Sequence, residues 1–250
     1  MHLPPEISRE ITDHFTPHFK DFPTDYVCVY GSSVYAPDKL QSDVDLFLVT
    51  HNADNPDIEP VVHFVKDMHD RYGRQLDEEV PYHNKIHYTA AEIENAIQFG
   101  GFEVNGASIT VPAIRKEKAF LESPAIKARL ALNALTTPHV AIGDDLMRYH
   151  IARQRAGEAA TLLAISLLGK KEFDIASLHG ALTVNDEGAT GEMFLGYKTE
   201  YPAVGDRLSL ILRKSLASLA GQDLVKVDTD TYRVGKDFDP LDYIKTAPSA

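Results

Sequence analysis

Two aspartates separated by one apolar residue, Asp43-Val44-Asp45, stand at the head of the apolar run Leu46-Phe47-Leu48-Val49. On an extended chain, side chains two positions apart leave the same face, so the two carboxylates are expected side by side. Held that close, they repel each other unless a positive charge sits between them. A hard divalent cation such as Mg2+ meets that need, because it prefers oxygen ligands and shares them with phosphates. Paired carboxylates can also bridge two ions roughly 3.5–4 Å apart. Asp43 and Asp45 are therefore the first expected metal ligands. Upstream, the run Tyr26-Val27-Cys28-Val29-Tyr30 leads into Gly31-Ser32-Ser33. Glycine lets a phosphate approach the backbone with no Cβ in the way. The amides that follow, with the serine hydroxyls, can donate to phosphate oxygens, especially where residues 33–36 open a short helix that Pro37 limits to about one turn. Gly31, Ser32 and Ser33 are thus expected to receive phosphate. Ser42 is placed to orient Asp43 by a hydrogen bond.

Tyr30-Gly31-Ser32, a short gap, then Asp43-Val44-Asp45-Leu46 resembles the polymerase-β-like nucleotidyltransferase superfamily. The mark of that superfamily is Gly-Ser after an apolar residue, followed by Asp-x-Asp between apolar residues. The resemblance covers residues 25–82, with looser support to residue 112. It implies a mixed sheet flanked by helices, two Mg2+ ions, and ATP or another NTP as co-substrate. It also implies transfer of a nucleotide to an acceptor hydroxyl with release of pyrophosphate. The family supplies a third carboxylate from a later, neighbouring strand, for which residues 74–81 are the natural place. Asp77 and Glu79 share one face there, and Glu78 points the other way. The implied catalytic set is Asp43, Asp45 and either Asp77 or Glu79, with Asp77 favoured as the third metal ligand and either one able to accept the acceptor's proton. The chain departs from the pattern after Gly-Ser. Small-molecule members place an arginine and a further glycine there, whereas this chain has Ser33-Val34-Tyr35-Ala36-Pro37. A phosphate-binding cation must then come from elsewhere, with Lys39, Arg74 and Lys85 as the candidates.

The formal charge of the 250-residue chain is −12. Proteins that grip long nucleic acid usually carry a basic patch, because counterion release drives that binding. Long DNA or RNA is therefore a poor acceptor, and a small molecule is expected, aminoglycoside-like by analogy with antibiotic-modifying relatives. Two rivals keep the fold. One is a nucleotide- or partner-binding module without chemistry, and the other an enzyme whose acceptor is a protein or a tRNA end. Members that lose activity typically lose one aspartate of the pair, and both stand here. The 11 histidines form no zinc motif, with His63 and His69 six apart on one helix. Cys28, the only cysteine, reads as a buried strand residue. No apolar run is long enough for a membrane span, and the start lacks the features of a secretory signal, so a cytoplasmic location is expected.

The elements that must position these groups follow from periodicity and punctuation. Ile7, Ile11 and Phe15 predict a helix over residues 5–19. Strands are expected over 25–30 and 43–50, then a helix over 57–72 with the row Val61, Val65, Met68 and Tyr72, ended by Gly73. A third strand is expected over 75–81. Thr89 and Glu92 have capping-box spacing for a helix to residue 98, and Asn105-Gly106 between strand-like runs signals a hairpin. Helices follow over 123–135, 145–168 and 206–219, and residues 185–196 read as a Gly-rich loop. The fold class is α+β, with a nucleotidyltransferase-type domain at 1–112 and a mostly helical domain at 113–250.

Overall fold

The apolar run after Thr24 forms β1 (Thr24–Tyr30), the central strand of a four-stranded mixed sheet. The structure, a computed structural model, describes residues 3–21, 24–36, 41–51, 57–76, 86–98, 103–105, 108–110, 124–143, 146–183, 185–186, 192–193, 195, 197–240 and 242–243. On one side β1 pairs antiparallel with β2 (Asp45–Thr50), and β2 pairs parallel with β3 (His87–Thr89). On the other side β1 pairs antiparallel with a strand from the second half of the chain, Val140–Ile142. Every residue of β1 from Tyr26 to Tyr30 is buried, as expected where helices cover both faces of a sheet.

Alternation along the strands sorts the two faces. Val27, Val29, Leu46 and Leu48 point to α1 (Pro5–Asp21) and α3 (Glu59–Arg71), where they meet Ile7, Ile11, Phe15, Val65 and Met68. Tyr26, Cys28, Tyr30, Phe47 and Val49 point the other way. There they meet α4 (Ala90–Ile97), α5 (Pro124–Thr136), α6 (Met147–Leu168) and α8 (Pro202–Gly221) through Ile93, Leu132, Leu163 and Leu212. Each aliphatic side chain buried in this way contributes about 1.5–3 kcal/mol. Between β1 and β2 lies α2 (Ser32–Tyr35), the single turn expected before Pro37.

Several local readings hold. Thr89 caps α4, its hydroxyl accepting from the Glu92 N–H while Glu92 accepts from the Thr89 N–H. The hairpin forms from β4 (Glu103–Asn105) and β5 (Ser108–Thr110). Gly169 ends α6 with φ 62, and Cys28 is buried with its thiol free. Beyond β6 (Val140–Ile142) come β7 (Glu172–Phe173) and α7 (Ile175–Thr183), in a stretch without a clear pattern. A short pair, β8 (Asn185–Asp186) and β9 (Glu192–Met193), follows within the segment read as loop. The final hairpin, β10 (Val225–Asp228) and β11 (Thr231–Val234), pairs with β7. The boundary expected near residue 112 lies outside the described residues, but one apolar cluster draws side chains from both sides of it. Among the described residues no helix is long and apolar enough to cross a membrane.

Two expectations are corrected. The second strand begins at Asp45, not Asp43, because its last partner on β1 is Tyr30 and β1 turns away at Gly31. Among the described residues the strand beside β2 is 87–89, and of the strand expected over 75–81 only Gln75 and Leu76 are described. After Gly73 leaves α3 with φ 61, Gln75 is drawn to the Gln41 carbonyl, and residues 74–76 are not a strand.

Candidate active site

Gly31 has φ 83 and ψ −172, a backbone region open in practice to glycine alone. A second reason excludes a side chain here. A Cβ on Gly31 would overlap Asp45 Oδ2 and stand 3.1 Å from Asp45 Cγ. The glycine bend and the second aspartate are therefore in contact. The link is built by the sheet, since Tyr30 and Asp45 are register partners at the end of the β1–β2 ladder. Past the bend, Val34 N–H donates to the Gly31 carbonyl at 3.0 Å and Ala36 N–H to the Ser32 carbonyl at 2.8 Å. The amides of Ser32 and Ser33 precede the first of these bonds, as at any helix start. Ser33 is buried and its hydroxyl donates back to the Tyr30 carbonyl at 3.4 Å. That bond ties Ser33 to the strand end, so of the two serines Ser32 is the one left half-exposed at the bend.

Asp43 reaches the same place without a strand to carry it. Residues 41–44 are held instead by the end of α3 and the turn after it. Gln75 N–H donates to the Gln41 carbonyl at 3.0 Å, and Arg74 Nη1 donates to the Ser42 carbonyl at 3.0 Å. Val44 N–H donates to His69 Nε2 at 2.9 Å, while His69 Nδ1 lies 2.7 Å from the Val65 carbonyl. A ring nitrogen that accepts cannot carry a proton, so the Nδ1–H tautomer is the one consistent with both bonds. This buried histidine fastens the residue between the two aspartates to α3. Sequence reading placed it on the helix but gave it no such role, because its partner is a backbone amide 25 positions away.

Val44 is buried among the α1–α3 side chains, and the flanking aspartates are half-buried. Both carboxylates act on the same two phenols. Burial, then Asp45, and more weakly Asp43, push the Tyr30 hydroxyl well above its ordinary range. Tyr35 is pushed up in the same way, with burial first and then Asp45. Asp45 thus lies beside its register partner Tyr30, while Asp43, off the strand, is near enough to act on both phenols. A small cavity touches both of them, together with His69 and Ile86. Arg74, one of the expected phosphate-binding cations, donates through one nitrogen to the Ser42 carbonyl. Its guanidinium is lowered by burial, against the opposing pull of Glu6 and Asp43. Asp77 and Glu79, and the other two cations, Lys39 and Lys85, lie outside the described residues.

Among the described residues no group of three or more His, Cys, Asp or Glu side chains is placed to hold a metal ion. Mg2+ commonly takes only one or two protein carboxylates and fills its shell with water and substrate phosphates. Two half-buried carboxylates beside a bend that lacks a Cβ fit that requirement. Compared with known proteins, the chain matches no family model, no curated protein and no solved structure.

Proposed function

We propose that this chain is a nucleotidyltransferase. It moves a nucleotide, AMP where the donor is ATP, to a hydroxyl of a small molecule and releases pyrophosphate. The observation that carries the reading is the approach of the Asp45 carboxylate to Gly31, which sets a ligand for hard cations against the glycine bend whose following amides open α2. Mg2+ bound by Asp43 and Asp45 would supply charge neutralisation for the triphosphate. The protein's own part is positioning. His69 and Arg74 fix the segment that bears the aspartates. The amides after Gly31 and the Ser32 hydroxyl receive phosphate oxygens. Asp77 or Glu79 accepts the acceptor's proton as its oxygen bonds to the α-phosphorus and the bond to pyrophosphate breaks. The excess of acid over base favours a small acceptor over long nucleic acid.

The test uses the four α-labelled NTPs with Mg2+ and panels of hydroxylated small molecules, tRNA and protein. Transfer to a small molecule is expected, and Asp45→Asn should lower it by at least about 100-fold, the scale of one lost electrostatic contribution at a reacting centre. Nucleotide binding without transfer to any panel, unchanged in Asp45→Asn, would overturn the proposal.

A further inference from the structure

On the opposite side of α6 from the sheet's edge, that helix and α8 enclose an open groove of about 390 Å3. Its walls carry Arg153 on α6 and Arg207 and Lys214 on α8, against the single carboxylate of Glu158, a surplus of two positive charges. The other arginines of α6 are satisfied elsewhere: Arg148 pairs with Asp25, and Arg155 pairs bidentately with Glu94. Among the described residues neither Arg153 nor Arg207 has a carboxylate partner. Glu158 is turned to Ser218, whose hydroxyl donates to it at 3.0 Å. The two guanidinium groups are close enough that Arg207, already lowered by burial, is lowered further by Arg153. Like charges brought together in a half-buried place raise the energy unless an anion joins them.

Near the arginine on α6 lies a hydrogen-bonded pair, His139 and Tyr149. Burial, with Arg153 and Arg207 nearby, pushes His139 down to about 4, so its ring is neutral at physiological pH. Its Nδ1–H donates to the Thr137 carbonyl at 2.7 Å, which leaves Nε2 to accept from the Tyr149 hydroxyl at 2.6 Å. Burial raises that hydroxyl, and Arg153 is near enough to oppose the rise. Gly157 permits the close helix crossing, since a Cβ there would stand 3.0 Å from Ile211 Cγ2.

We propose that this groove is a binding site for a dianionic phosphate group, held by the forks of Arg153 and Arg207 with Lys214 as a third cation. Planar guanidinium forks match phosphate oxygens two at a time, and a dianion cancels the surplus charge of the walls. The volume lies within the range of small-molecule sites, about 300–1,000 Å3, so a phosphorylated small molecule fits as well as free phosphate. The site is separate from Asp43 and Asp45, and the inference does not rest on nucleotidyl transfer.

The test is a titration followed by amide NMR shifts on the full chain without divalent metal. Inorganic phosphate and glucose 6-phosphate are the probes, with glucose and sodium chloride at matched ionic strength as controls. Both phosphates should give saturable shifts centred on residues 150–158 and 207–218. Arg207→Gln should weaken binding at least tenfold and the exposed Lys214→Gln about threefold, while Asp45→Asn leaves it unchanged. Tighter binding of the sugar ester identifies a phosphorylated metabolite as the ligand, and equal or weaker binding identifies free phosphate; either upholds the site. The proposal is overturned by absence of saturable shifts, by shifts centred on Gly31 and Ser32, or by unchanged affinity in Lys214→Gln together with a folded Arg207→Gln.

Discussion

Replacing Gly31 by alanine tests the geometry of the bend without any assumption about chemistry. Two costs are legible in the structure. With φ 83 and ψ −172 the backbone sits where an L side chain is strained, which costs about 1–3 kcal/mol. The new Cβ also overlaps Asp45 Oδ2 and lies 3.2 Å from Asp45 Cβ, so the carboxylate or the strand must shift, for about another 1–3 kcal/mol of overpacking. The sum, roughly 2–6 kcal/mol, is a large part of a typical domain stability of about 5–15 kcal/mol. Urea unfolding followed by circular dichroism measures it. The Asp45→Ala background separates the two costs. It removes Oδ2 and Cγ, the two nearest atoms the methyl group meets, keeps the Cβ at 3.2 Å and leaves the backbone strain, so Gly31→Ala should cost about 1–3 kcal/mol less there. A loss below about 0.5 kcal/mol in the wild-type background, within the range of ordinary surface substitutions, or an equal loss in both backgrounds, would refute the contact between bend and aspartate.

Other consequences can be checked independently. His69→Ala leaves the buried Val44 amide without its acceptor, so urea unfolding should show a loss of about 1–3 kcal/mol from that amide, with the vacated volume adding to it. Its effect on any transfer activity should appear through the metal dependence, because Val44 stands between the two aspartates. His139 has a folded pKa near 4 against an ordinary 6.5, so the unfolded chain binds the extra proton between those values. Stability should therefore fall by up to about 3 kcal/mol as pH drops from 6.5 to 4. The slope of stability against pH over that window should flatten in His139→Gln. Cys28 is fully buried and burial pushes its thiol up, so a thiol reagent should label it only as fast as the sheet opens, with a rate that follows denaturant.

How much could be read beforehand depended on the range of the forces involved. The helix of Ile7, Ile11 and Phe15, the capping box of Thr89 and Glu92 and the hairpin around Asn105 all rest on contacts between residues a few positions apart. The chain writes such contacts into its periodicity and its punctuation. The first half of the site was legible for the same reason: Gly31 follows the end of an apolar strand, and Asp45 opens the next, with Asp43 two residues before it. The strand that begins at Asp45 was read two residues too long, because a ladder ends where its partner turns away, and that turn lies at Gly31 rather than in the residues near Asp43.

The sequence by itself determined the acid pair, the glycine that precedes it and most of the long helices, since each is set by residue type and near neighbours. Tertiary structure alone decided that Val140–Ile142 joins β1, that His69 grips Val44, and that Arg153 and Arg207 line one groove from two helices. Each of these pairs residues far apart in the chain. No local pattern marks such partners, because what selects them is the burial, and the satisfaction of buried polar groups, achieved only when the whole chain packs.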